Sequence, residues 1–151
     1  MKVLELSHYI IDKCVREGEP ISRLQLQRIL YFIQVHWLKK FNTPIFRDEP
    51  IEAWGCGPVV FSIECVYCGY GADAILSYYD NIEIAEIVKE EIEEIIKRER
   101  LVKPWREDTR IFGEGTPWET TYKKAKQGKG IWEKADREEI RWDLMKERGI
   151  E

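Results

Sequence analysis

Four cysteines and two histidines are the side chains in this sequence best suited to nucleophilic, redox or metal chemistry. Cys65-Val66-Tyr67-Cys68 is a single C-x-x-C, with Cys14 and Cys56 elsewhere and His8 and His36 as the only imidazoles. A structural zinc site needs four converging ligands, usually from two such pairs on glycine-bearing turns. Only one pair is present, and the apolar spacing around it predicts a helix. A redox pair of the thioredoxin kind requires a strand-loop-helix setting that the neighbouring residues do not supply. The expectation for Cys56, Cys65 and Cys68 is structural: a reduced cysteine behaves as a small buried hydrophobe. Whether they bind metal is left open at this point.

His36 falls inside an apolar helix beside Trp37, and His8 lies near the chain start, so both read as packed or surface imidazoles. The carboxylates fall opposite apolar stripes, the pattern of solvated helix faces and not of an acid/base pair. Gly55-Cys56-Gly57 lacks the third glycine of a dinucleotide loop, and Gly113, Gly115, Gly128 and Gly130 lack the strand-to-helix setting of a P-loop. No catalytic residue, metal or cofactor is expected. A basic run, Lys123 to Lys129, ends a helix, where cations complement the helix dipole. Tyr122 and Trp132 flank it, but Glu133, Asp136, Glu138 and Glu139 follow and blunt its field, so nucleic acid is not the expected partner.

The most unusual group is polar and aromatic. Gln27, Arg28, Tyr31, Gln34 and Trp37 recur at steps of three and four along one helix, and Trp54 and Gly57-Pro58 follow. Buried glutamines need partners, so these residues imply either an internal polar network or an exposed binding groove. Tyr, Trp and Arg are also enriched at interface hot spots.

The elements that must carry these residues are mostly helices. Ser22 with Gln25 is a capping box, bracketed by Ile21 and Leu26. The helix it opens is apolar on nearly every side from Ile29 to Leu38, so it must be buried and central. Leu6, Tyr9, Ile10 and Cys14 predict a first helix ending at Gly18. Thr43 to Phe46 reads as turn and extended chain, with a short strand near Ile51–Trp54. Gly55-Cys56-Gly57-Pro58 reads as the turn that leads into a third helix, Pro58 at its first position. Asp80 with Glu83 predicts a helix carrying Ile84, Ile87, Val88, Ile92, Ile95 and Ile96. Residues 101–115 read as loop, with an extended piece at Arg110–Phe112. Thr116-Pro117-Trp118-Glu119 is the clearest helix start, and that helix should end near Gly128. Asp136 with Glu139 predicts the start of a last helix that Gly149 closes. The fold class expected is mainly α: one compact domain over residues 1–151, about six helices, and at most a short β-hairpin near residues 45–54.

Composition agrees. The chain has 151 residues, 44% hydrophobic and 34% charged, with a net charge of -4. That is enough to bury a core without a metal or disulfide staple. Residues 1–75 hold 8 basic and 9 acidic side chains, and the remainder hold 16 and 19. The sparse part should hold the core, and residues 76–151 the solvated helices around it. No run of apolar residues suits a signal sequence or a membrane span, so a cytoplasmic protein is expected.

Taken together, Leu26-Gln27-Arg28-Ile29-Leu30-Tyr31, Gln34, Trp37-Leu38, Pro44-Ile45-Phe46, Ile51-Glu52-Ala53-Trp54 and Gly57-Pro58-Val59-Val60 resemble the Panacea domain family of SocA-like antitoxins and phage-associated GepA-type proteins. Pro117-Trp118 matches a later helix start in that family. The chain departs from the family pattern at Glu64, where a tyrosine is common, and at Phe112 to Thr116, which lack a common threonine-histidine pair. The resemblance implies an antitoxin that neutralises a co-encoded toxin by direct binding. Gln27, Arg28, Tyr31, Gln34, Trp37, Trp54 and Trp118 are then the expected partner-binding residues. Two rival readings are a DNA-binding autoregulator of its operon and a phage-associated accessory protein without a toxin partner. A thiol-dependent enzyme is the reading of a third kind.

Overall fold

The structure, a computed structural model, describes residues 1–126 and 137–151. Its first two helices are Val3–Arg16 (α1) and Arg23–Phe41 (α2). The expected capping box opens α2: the Gln25 N–H donates to Ser22 Oγ at 3.3 Å, and the Ser22 N–H to Gln25 Oε1 at 2.9 Å. Asn42 ends it in the left-handed region (φ 58°). Every residue from Leu26 to Val35 is buried, so α2 has no solvent face over its middle. α1 lays Leu6, Ile10 and Cys14, all fully buried, into the same core.

The chain then builds a hairpin from Glu52–Trp54 (β1) and Gly57–Val59 (β2), with Trp54 opposite Gly57 and Ala53 opposite Pro58. Phe61–Tyr67 (α3) follows, and its end tightens into a 3-10 turn, Cys68–Tyr70. Then come Glu86–Glu99 (α4), Thr109–Phe112 (α5), Pro117–Lys126 (α6), Glu138–Glu139 (β3) and Trp142–Arg148 (α7). The sheet is antiparallel, in the order β2-β1-β3. The protein is mainly α with a small sheet, with seven α-helices among the described residues. None of these helices is long and apolar enough to cross a membrane.

Five expectations need correction. The hairpin lies at residues 52–59, later than expected, because Ile45 and Phe46 pair with a side chain of α2 and not with a strand. The Gln34 amide donates to Phe46 O at 3.0 Å and accepts from the Ile45 N–H at 2.8 Å. Of the expected turn Gly55–Pro58, Gly55-Cys56 does turn the chain, but Gly57 and Pro58 belong to β2. That strand is an edge, where a residue without an N–H is tolerated. Gly57 has φ 124°, a backbone conformation that residues with a Cβ rarely adopt, so the position favours glycine.

Asp80 does not open α4, which begins six residues later. The Tyr79 N–H is taken by Asp12 Oδ1 at 2.9 Å, and Asn81 is left-handed (φ 59°), so the chain stays irregular up to Ala85. Arg110–Phe112 is not extended but lies within the single helical turn α5, capped by Asp108 through the Arg110 N–H at 3.0 Å. Finally, Glu139 pairs with Glu52 in the sheet, and the last helix starts at Trp142. Asp136 and the expected helix end at Gly128 lie outside the described residues. The Thr116 start is as expected: the Glu119 N–H donates to Thr116 Oγ1 at 3.2 Å.

α4 and α7 both pack on α2. An ionic cluster ties α2 to α4 and to the segment after α7. His36 on α2 meets Glu91 of α4 through Nε2 at 2.7 Å and Glu151 through Nδ1 at 3.0 Å. Lys40 also reaches Glu91, at 2.6 Å. Burial alone would lower the His36 pKa, but the hydrogen bonds to Glu151 and Glu91 outweigh it, and the net shift is upward.

Two predictions follow from these contacts. Gln34→Leu keeps the volume and strands the Ile45 N–H and Phe46 C=O inside the protein. At about 1–3 kcal/mol for each stranded group, urea denaturation should show a loss of roughly 2–6 kcal/mol. For His36 the folded pKa lies above the unfolded one, so its contribution is full below about pH 6.5 and is lost as pH rises through the folded value. The melting temperature should therefore fall between about pH 6 and about pH 8, and His36→Gln should remove that part of the slope.

Candidate functional site

The residues expected to bind a partner are, for the most part, not on the surface. Gln27 is 2% exposed, Arg28 5%, and Tyr31 and Gln34 0%. Gln27 repeats the Gln34 arrangement: its amide donates to Val60 O at 3.1 Å and accepts from the Val60 N–H at 2.8 Å. The Tyr31 hydroxyl has no hydrogen-bond partner among the described residues, and burial pushes its pKa well above the usual phenol value. A side chain enclosed this way cannot touch a partner. Of the two arrangements that the glutamines implied, the internal network is the one present.

What the network does is hold backbone in place. Gln25 donates to Arg100 O at 2.9 Å and to Val102 O at 3.2 Å. Arg28 donates to Lys103 O at 3.1 Å and to Arg106 O at 2.8 Å. These four carbonyls belong to the connection between α4 and α5, which hangs from the first two turns of α2. Burial lowers the Arg28 pKa, while the nearby Asp108 and Glu99 carboxylates favour its charge. On the other side, Arg23 Nε donates to Gly71 O at 2.7 Å, and its guanidinium pairs with Glu64. The Ile75 N–H donates to Ile21 O at 2.8 Å.

Between these held segments lies a groove of about 350 Å³. Leu24 lies on α2, Ala72 follows the 3-10 turn, Cys56 is in the hairpin turn, and Pro104 and Trp105 come from the α4–α5 connection. Trp105 is 79% exposed, held between the two carbonyls that Arg28 binds. An indole so exposed on a tethered loop gains little from the fold. It is the type of side chain that serves as an interface anchor.

The other tryptophans divide. The Trp118 indole N–H donates to Trp54 O at 2.6 Å, and its ring stacks on Tyr122 at 4.8 Å and meets Phe112 edge-on at 4.8 Å. Trp54 and Trp118 thus form one half-buried aromatic cover over the hairpin. Trp37 lies apart, against Phe41 at 4.5 Å. Lys123, Lys124 and Lys126 flank Trp118 and Tyr122 on α6. The rest of that basic run and Trp132 lie outside the described residues.

Among the cysteines, only Cys14 is the buried hydrophobe expected, and burial pushes its thiol pKa up. Cys56, Cys65 and Cys68 are exposed, which corrects the packing role expected for them, and no disulfide joins the four. No cluster of three or more metal-ligating side chains occurs among the described residues. His8 stacks on Tyr79 at 3.9 Å.

Sequence reasoning missed Trp105, Gln25 and Arg23 as parts of a site. The one available signal was the tryptophan itself, set in a polar loop between Lys103 and Arg106. No protein-family model, curated protein or solved structure matches the chain.

Arg28→Met keeps the apolar stem and deletes both bonds to the loop. Stability should fall by roughly 3–6 kcal/mol, since hydrogen bonds from a charged donor contribute about 1.5–3 kcal/mol each. Trp105 fluorescence anisotropy, read in a variant whose other tryptophans are phenylalanine, should drop as the loop loosens. An unchanged anisotropy would show that Arg28 does not hold the loop.

Proposed function

We propose that the protein is an antitoxin-like binding protein, which neutralises a toxin encoded beside it by direct contact. Two things support this reading. The motifs around Leu26–Tyr31, Ile51–Trp54 and Gly57–Val60 resemble the Panacea domain. The groove at the start of α2 has the make-up of a docking site: a mostly apolar lining, walls fixed by hydrogen bonds, and one large aromatic at its lip. The single observation that carries the placement is Trp105, exposed and yet held by Arg28. A stable interface needs about 800 Å² from each partner, so the groove serves as the centre of the contact and the surrounding surface as its rim. The residues first expected to bind the toxin act one step back. Arg28 positions the wall that carries Trp105 and Gln27 holds Val60 ahead of α3, while Trp54 and Trp118 cover the neighbouring hairpin.

Trp105→Ala should leave the melting temperature unchanged, because the ring is mostly in solvent. Co-expressed with the product of the adjacent reading frame, the variant should fail to restore growth and fail to co-purify with it. Full neutralisation by Trp105→Ala would remove the groove as the docking site. An adjacent product harmless on its own would remove the antitoxin reading itself.

A further inference from the structure

Cys65 and Cys68 have no packing role: both are exposed, and they stand three residues apart where α3 passes into its 3-10 turn. Helical residues at this spacing have Cα atoms about 5 Å apart, inside the range of about 4.4–6.8 Å that a disulfide spans. Cys65 lies in the last turn of α3 and Cys68 is the first residue after it. Cys68 already leans back over that turn, its thiol 3.5 Å from the Cys65 carbonyl. Cys14 is buried in α1, and Cys56 is in the hairpin turn beyond β2, so neither shares the turn.

We propose that Cys65 and Cys68 form a redox-modification site, closing into an intramolecular disulfide on reaction with a low-molecular-weight disulfide such as glutathione disulfide. One cysteine thiolate attacks a glutathione sulfur, forming a mixed disulfide and releasing one glutathione thiolate. The second cysteine thiolate then attacks the protein sulfur of that mixed disulfide and releases the second glutathione. The protein gives up two electrons and two protons, and the glutathione disulfide is reduced to two thiols. The bond closes on the turn that leads to the groove wall. The Gly71 N–H donates to Cys68 O at 3.2 Å, and the Asp73 N–H to Tyr70 O at 3.0 Å, so both amides should exchange more slowly once the turn is covalently closed.

The test is incubation of the intact protein in glutathione redox buffers of increasing oxidised fraction, followed by alkylation and mass analysis. The expected product is lighter by two hydrogens, carries no glutathione at residues 65 and 68, and yields a peptide linked between them. Cys65→Ser and Cys68→Ser, at exposed positions that leave the fold intact, should each stop at one bound glutathione on the remaining cysteine. Amide exchange at Gly71 and Asp73 should slow in the oxidised wild type and not in either variant. A wild type that collects only mixed disulfides at these two positions, or that links either one to Cys56, would overturn the proposal. So would one that leaves both alkylated throughout.

Discussion

The rest of the structure depends on one constraint: a helix buried on all sides must satisfy the backbone of whatever packs against it. α2 is surrounded partly by irregular chain, at residues 45–46, at residue 60 and between residues 100 and 106. Those segments lie outside the helix and sheet ladders, and buried N–H and C=O groups left unpaired are costly. Gln25, Gln27, Arg28 and Gln34 supply the partners. Gln27 and Gln34 each bind an N–H and a C=O, the pattern of a strand pair reproduced by a side chain. Arg28 and Gln25 each bind two carbonyls of one loop. The helix is therefore both the apolar centre and the frame to which the connections attach.

Electrostatics fixes the far end of the same loop. Glu99, 2% exposed, closes α4 and receives two bonds from Arg110, each 2.8 Å. Arg110 also pairs with Asp108 and lies 4.4 Å above the Phe32 ring of α2. The bonds to Glu99 and then to Asp108 push the Arg110 pKa up. A buried carboxylate needs such pairing, since an uncompensated charge in the interior is strongly destabilising. The loop that carries Trp105 is thus held by Arg28 and Gln25 along its length and by the Glu99–Arg110–Asp108 cluster at its ends. Little freedom remains for the segment except at the indole itself. Much of the ordering cost that a partner would otherwise meet is already met in the free protein.

The sequence made the frame legible and the site less so. Ser22 with Gln25, the all-round apolar run of α2 and Thr116-Pro117 each state their structure locally, because capping and periodicity depend on near neighbours. Asp80 with Glu83 has the same three-residue capping spacing as Ser22 with Gln25 yet opens no helix. A distant residue, Asp12, takes the backbone there. Gln27, Arg28 and Gln34 stood out correctly as unusual, but residue type alone does not tell a side chain facing a partner from one facing its own chain. Their position inside a helix without a polar face was the better clue, since a glutamine there has only backbone to bind. Trp105 showed no periodicity at all. Its significance comes from Arg28, seventy-seven residues earlier, and from contacts that only the fold creates.

The most direct measurement is amide hydrogen exchange on the complex with the adjacent gene's product, compared with the free protein. A docking groove at the start of α2 predicts new protection over residues 71–73 and 103–106, with Cys56 and the hairpin turn between them. The exposed face of α6 and the Trp37–Phe41 surface should exchange as before. Protection confined to α6 or to the Trp37 surface, with residues 103–106 unchanged, would contradict it.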